Sequence, residues 1–248
     1  MKKFGTILFA VLVIGAVAAS SAFATVETKA AQWYTGPSAA SQTTLVGSQP
    51  VTAEVDVEGT LETEIGGLKV KLKSKKFSCR SCTIENKVVG TGAGVIASGT
   101  GKITFEEVSV VEPANCTVSD SAEEGGTLGM VSTKQLNIHG DWMDTNTANK
   151  HAFIAFVPAA GATTTFAQFV LGGTGCSSIS GAKNVTGTVF GESANNTEVP
   201  AEVQTLSFSP TIQATAGAEL KVGTKVANFT GAGNFRTPVP GKTFFEIK

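Results

Sequence analysis

The run "VTAEVDVEGTLETEIGGLKVKLKSKK", residues 51–76, restricts the fold more than any other stretch of this chain. Val51, Ala53, Val55, Val57, Leu61 and Ile65 alternate with polar residues, the period of a half-buried β-strand. Gly66 and Gly67 interrupt the alternation, and Leu68, Val70 and Leu72 resume it. Two such runs joined by two glycines predict a tight hairpin, because both turn residues can take positive φ. A two-residue loop sets Ile65 opposite Leu68, and therefore Glu64 opposite Lys69, Glu62 opposite Lys71 and Glu58 opposite Lys75. Each cross-strand charge pair is worth only about 0.2–1 kcal/mol, but together they pin the register. The lysine strand neutralises the acidic stripe, so a solvated face is the reading preferred over a cation site. After Ser74 the apolar phase slips by one residue. Phe77 and Cys79 therefore point inward only if Lys75 and Lys76 form a bulge.

Further strands are expected at 102–111, 127–138, 151–157, 164–171, 184–190, 202–208, 218–228 and 242–247. In the 218–228 run, Ala218, Leu220, Val222, Thr224 and Val226 share one face of a single strand. No segment beyond the N-terminal leader has a helical period. Charged residues are 16% of the chain and glycines number 28, which suits branched strands joined by glycine turns. The expected class is all-β, an antiparallel sandwich or barrel-like domain with Gly-rich turns and disulfides.

The first residues, "MKKFGTILFAVLVIGAVAASSAFA", combine two lysines, an apolar run and an A-x-A ending. That pattern predicts a secretory signal peptide, residues 1–24, cleaved after Ala24. The run is short for a membrane span, so residues 25–248 are expected to form one exported domain without a span after signal removal. Loss of Lys2 and Lys3 leaves 17 basic against 20 acidic residues, a balance that argues against a nucleic-acid partner. The expected location is secreted or cell envelope.

Four cysteines, Cys79, Cys82, Cys116 and Cys176, make an even count in an exported chain, which favours two structural disulfides. The Cys79-Arg-Ser-Cys82 spacing would suit a redox pair only at a helix N-terminus, and no helix follows it. A four-cysteine zinc site needs a second close pair, which Cys116 and Cys176 do not make. Of the three connectivities, the one preferred joins Cys79 and Cys82 each to a distant partner, with closure on each other left open.

Catalytic signals are sparse. His139 and Asp141 lie close in "HGDW", but no G-x-S-x-G elbow accompanies them, so no catalytic residue and no cofactor is assigned. Asp141, Asp144 and Asn146 are oxygen donors in "DWMDTNTANK", a candidate calcium loop that lacks the EF-hand glycine and distal glutamate. Trp33, Tyr34 and Trp142 are the candidate ligand-binding aromatics; Trp33 and Tyr34 serve equally well as core plugs or a clasp on the first strand.

From about residue 68 onward, "VVGTGAGVIASGTGKITFEEV", "CTV", "LGMVSTKQL", "VPAAGATTTFAQFVLGGTGC", "VTGTVFG" and "VQTLSFS" follow one another in an order that resembles a broad group of uncharacterised secreted all-β proteins of soil bacteria. The resemblance implies a strand and cysteine framework and assigns no catalytic residue. The second cysteine of the Cys79–Cys82 pair departs from the single strand-end cysteine of that group. The function expected is that of a non-catalytic structural or adhesive component of the cell envelope or extracellular matrix, with self-association or cell-surface polysaccharide as its partner. The alternative is a secreted carbohydrate- or ligand-binding module, calcium-assisted through Asp141 and Asp144.

Overall fold

Gly66 and Gly67 adopt φ of 58° and 83° and close the expected hairpin between Gly59–Ile65 and Leu68–Ser74. The register has Ile65 opposite Leu68, Glu64 opposite Lys69 and Glu62 opposite Lys71, as the charge pattern requires. Val70 and Leu72 are buried inside the sheet, with Leu61 and Ile65 packed against the same core. Glu62 and Lys71 pair at 2.7 Å, and that hydrogen bond holds the Glu62 carboxyl below its ordinary value. Glu58 reaches Lys73 rather than Lys75, because Lys75 lies in a bend and its ammonium turns to Glu107. That bend shifts the phase of the chain, so that Ser74, Phe77 and Cys79 are all buried.

The computed structural model describes residues 32–36, 41, 43–55, 58–88, 95–143, 151–193, 203–236 and 244–247. The expected signal peptide lies outside the described residues. In chain order the first strands are β1 (Trp33–Gly36), β2 (Thr43–Thr44), β3 (Ser48–Val55), β4 (Gly59–Ile65), β5 (Leu68–Ser74), β6 (Lys76–Val88) and β7 (Val95–Glu106). They are followed by β8 (Ser109–Glu112), β9 (Thr117–Asp120), β10 (Val131–Ser132), β11 (Leu136–Met143), β12 (His151–Pro158) and β13 (Thr165–Gly172). The last are β14 (Gly181–Gly187), β15 (Val189–Ser193), β16 (Val203–Phe208), β17 (Leu220–Val222), β18 (Lys225–Arg236) and β19 (Phe244–Ile247), with helix α1 (Pro210–Thr215) between β16 and β17.

The expected all-β class is borne out, as a closed antiparallel ring joined through one long strand to an open sheet. Strands β16, β15, β12, β11, β7, β6, β3 and β18 pair in that order, and β18 pairs back to β16, closing an antiparallel ring of eight. Closure leaves the ring no exposed edge. The first half of β18 leaves the ring and pairs with β4 and β17, founding an open sheet in the order β8, β5, β4, β18, β17, β14, β13 and β9.

Several expectations change on contact with the fold. The 102–111 run breaks at Glu107, φ 51°, between β7 and β8, and 127–138 holds β10 and the start of β11 rather than one strand. The 218–228 segment is a hairpin rather than one strand. Gly223, at φ 62°, turns the chain and sets Leu220 opposite Ala227. Both are buried while Val226 is half exposed, because the turn reverses the phase on which a single strand was drawn. The helix α1 carries no helical period, being only six residues long, but its start was legible in Ser209-Pro210. The Ser209 hydroxyl accepts from the Ile212 amide at 3.2 Å and Pro210 occupies the first turn, where its missing N–H costs nothing.

That helix covers the outside of the ring. Phe153, Ala155 and Phe190 form a second, smaller core with Ile212 and Ala216. Strand β16 pairs with β15 only at Glu192 and Ser193. Beyond them, the Gln213 carboxamide accepts from the Phe190 amide at 2.8 Å and donates to its carbonyl at 2.6 Å. A side chain thus continues the ladder where the neighbouring strand stops.

Candidate functional site

The cysteines are joined as Cys79–Cys82 and Cys116–Cys176. The preferred pairing of Cys79 and Cys82 with distant partners is corrected, and the cause is a bulge. In a regular strand, residues three apart face opposite sides. On β6, Arg80 opposes Lys102 and Thr83 opposes Thr100, so three steps on one strand match two on the other. Ser81, at φ 56°, absorbs the extra residue and stays exposed, while Cys79 and Cys82 both turn inward with Cα atoms 5.7 Å apart. Gly101 stands across from the bulge, where a Cβ would lie 2.1 Å from the Cys82 sulfur. The second bridge ties the start of β9 to a 3-10 turn at Thr174–Ile179, where Cys176 is fully buried.

Of the candidate ligand-binding aromatics, Trp33 is 3% exposed and serves as the clasp rather than as a platform. Its indole N–H donates to the Ser98 carbonyl at 2.9 Å, and its amide donates to the Asn86 side chain at 2.7 Å. Asn86 in turn donates to the carbonyls of Trp33 and Leu45. This network fastens β1 across β6 and β7. Tyr34 is half-buried. Asp141 and Trp142 lie within β11, opposite Phe153 and Ala152, two and three positions beyond His139, which pairs with Ser98. The candidate calcium loop is therefore split, since Asp141 belongs to a paired strand, while Asp144 and Asn146 lie outside the described residues. Among the described residues, no three acidic, histidine or cysteine side chains gather as a metal site would need. His139, on the same strand, has its pKa lowered, first by burial and then by the charge of Lys87.

What the chain does assemble is aromatic. Phe77 of β6, Phe105 of β7, Phe229 and Phe235 of β18, Phe208 of β16 and Phe156 of β12 contact one another in a closed cycle. Ring centroids are 6.2 Å apart for Phe77 and Phe105, 5.7 Å for Phe105 and Phe229, and 5.4 Å for Phe229 and Phe208. The cycle returns through Phe156 at 6.0 Å and Phe235 at 6.3 Å to Phe77 at 6.0 Å. Such tilted, edge-on and stacked pairs each add about 0.5–1.5 kcal/mol beyond their burial. Glycines on neighbouring strands make room for the rings. A Cβ on Gly233 would stand 2.2 Å from Phe77, and one on Gly191 would stand 2.9 Å from Phe208.

All six rings line one cavity of about 90 Å³, where the closed ring meets the open sheet. Its wall is completed by aliphatic side chains that include Val131, Val185 and Val189. The one hydroxyl in the wall, Ser74, is committed to the Gly59 carbonyl at 3.3 Å. At about 24 cal/mol per Å³, leaving this space empty costs about 2 kcal/mol. Sequence reasoning passed over these residues. The available signal was that 15 of the 18 aromatics are phenylalanine, the one type with no polar tip.

Nearby, the buried carboxylate of Asp120 is a structural knot. It accepts from the Ser121 amide at 3.2 Å, the Ser132 amide at 2.9 Å and the Ser132 hydroxyl at 2.7 Å. It thereby binds the end of β9 to β10, meeting the rule that a buried charge be hydrogen-bonded. The chain matches no protein-family model, no curated protein and no solved structure.

Proposed function

We propose that this protein is a non-catalytic, exported β protein that serves as a structural or adhesive component of a bacterial cell envelope or extracellular matrix. The observation that carries the reading is a closed eight-strand ring, extended by an open sheet and stapled by two disulfides. Disulfides persist in oxidising compartments outside the cytoplasm, which agrees with the leader at residues 1–24. No helix among the described residues is long and apolar enough to cross a membrane. The surface chemistry suits a scaffold. Lysines 69, 71 and 73 on β5 meet Glu112, Glu62 and Glu58, and Lys225 meets Glu64, so the charges of this face cancel locally.

Self-association has a physical route through one end of the open sheet. Among the described residues, β8 pairs with β5 as its one strand partner and carries the half-exposed Val111, whereas the outer side of β9 is already bonded to Thr127 and Gly129. An edge such as that of β8 accepts a further strand from another chain. The reading is tested by fractionating cells that produce the full chain and by sedimentation of the purified protein. Recovery with cell-surface material or concentration-dependent assembly is expected. A protein that stays monomeric and is released freely into the medium overturns it.

A further inference from the structure

We propose that the phenylalanine-ringed cavity is a binding site for a compact apolar molecule, a small hydrocarbon or a gas of comparable size, without hydrogen-bonding groups. The chemistry of the wall selects this class. The space of about 90 Å³ is several times the roughly 10–15 Å³ that one water requires, yet a buried water also needs two to four polar partners. The only hydroxyl is Ser74, and it already donates to Gly59. Cavities walled by aliphatic and phenyl groups stay dry and take up xenon or small hydrocarbons, at volumes of roughly 150 Å³ and below. A sugar or a charged metabolite would bury hydroxyls or charges with nothing to bond, which excludes both.

The wall is also built to keep its shape. Its six rings come from five different strands and hold one another in a cycle, so no single side chain can swing in to fill the space. Gly191 and Gly233 make room for two of those rings at positions where any Cβ would collide with them. Leu61, Phe105 and Phe229 are only half-buried, and Leu61 faces Phe229 across β4 and β18, so the route to solvent is shortest there.

The experiment is a xenon titration of the oxidised full chain, followed through valine methyl resonances, on the wild type and on the double variant Val185→Ile/Val189→Ile. Each substitution adds one methylene at the wall. Saturable shifts confined to Val131, Val185, Val189 and their neighbours are expected in the wild type. The variant should bind xenon at least fivefold more weakly and melt no lower than the wild type, because the added groups enter empty space. Absence of saturable shifts, equal xenon affinity in the two proteins, or a lowered melting temperature in the variant would each overturn the proposal. Glycerol, offered at the same methyls, should produce no saturable shift; if it does, the apolar selectivity is wrong.

Discussion

The two disulfides are predicted to differ sharply in what they contribute to stability, although each is a single sulfur–sulfur bond. Chain-entropy reasoning gives a cross-link a stabilisation of roughly T(2.1 + 1.5R ln n) cal/mol for a loop of n residues, because it removes freedom from the unfolded chain. Cys79 and Cys82 are separated by 3 positions, and Cys116 and Cys176 by 60. At 25 °C this corresponds to about 1.6 kcal/mol for the first bridge and about 4.3 kcal/mol for the second. The difference of about 2.7 kcal/mol depends only on the ratio of the loop lengths.

The perturbation is a pair of double variants, Cys79→Ala/Cys82→Ala and Cys116→Ala/Cys176→Ala, each leaving the other bridge intact. Both remove two sulfur atoms, so the loss of sulfur packing is similar and largely cancels in the comparison. Urea unfolding of the oxidised proteins, followed by fluorescence, gives the two free energies. For a domain of this size about 1 kcal/mol moves the melting temperature by roughly 2–4 °C, so the variants should melt roughly 5–11 °C apart. Equal losses, or a larger loss from the Cys79–Cys82 variant, would refute the reasoning. That outcome would mean the short bridge works by holding the β6 bulge in the native state, not by restricting the unfolded chain.

Gly233→Ala should destabilise by about 1–3 kcal/mol, since its Cβ would meet Phe77 at 2.2 Å, and Phe77→Leu in the same chain should recover part of the loss in urea unfolding. Asp120→Ala should cost about 1.5–3 kcal/mol and speed hydrogen exchange at the Ser132 amide, whereas Asp120→Asn, which keeps one acceptor oxygen, should cost less. His139 is held below its ordinary pKa in the folded chain by burial and by Lys87. Its neutral form is therefore favoured by folding, and stability should fall as pH drops from the ordinary histidine value through the lower folded one. An NMR titration should place the His139 midpoint below that of a free histidine, and His139→Gln should flatten this part of the stability profile.

How far the fold could be read from the sequence depended on whether the governing contacts were local. The β4–β5 register was legible because a two-glycine loop and the charge pairs Glu64–Lys69 and Glu62–Lys71 lie close together in the chain, and the structure keeps Glu64 opposite Lys69 and Glu62 opposite Lys71. The inward turn of Phe77 and Cys79 was legible for the same reason, since the phase slip at Lys75 is visible in the chain itself. The Cys79–Cys82 closure was not, because it depends on a bulge that Gly101 permits from the opposite strand. Nothing between Cys79 and Cys82 announces that the fourth residue will face the same way as the first. The phenylalanine cycle lies further beyond reach. Phe77 and Phe235 are far apart in the chain and meet because β18 closes the ring against β3 and β16. The sequence shows six apolar residues on strands, which any core would supply, and the empty space among them is a property of ring closure. A pattern can say which face a side chain takes, but a void is defined by side chains from five strands at once. That is why His139, Asp141 and the aromatic Trp33 drew attention in the sequence, while the structure gathers its phenylalanines.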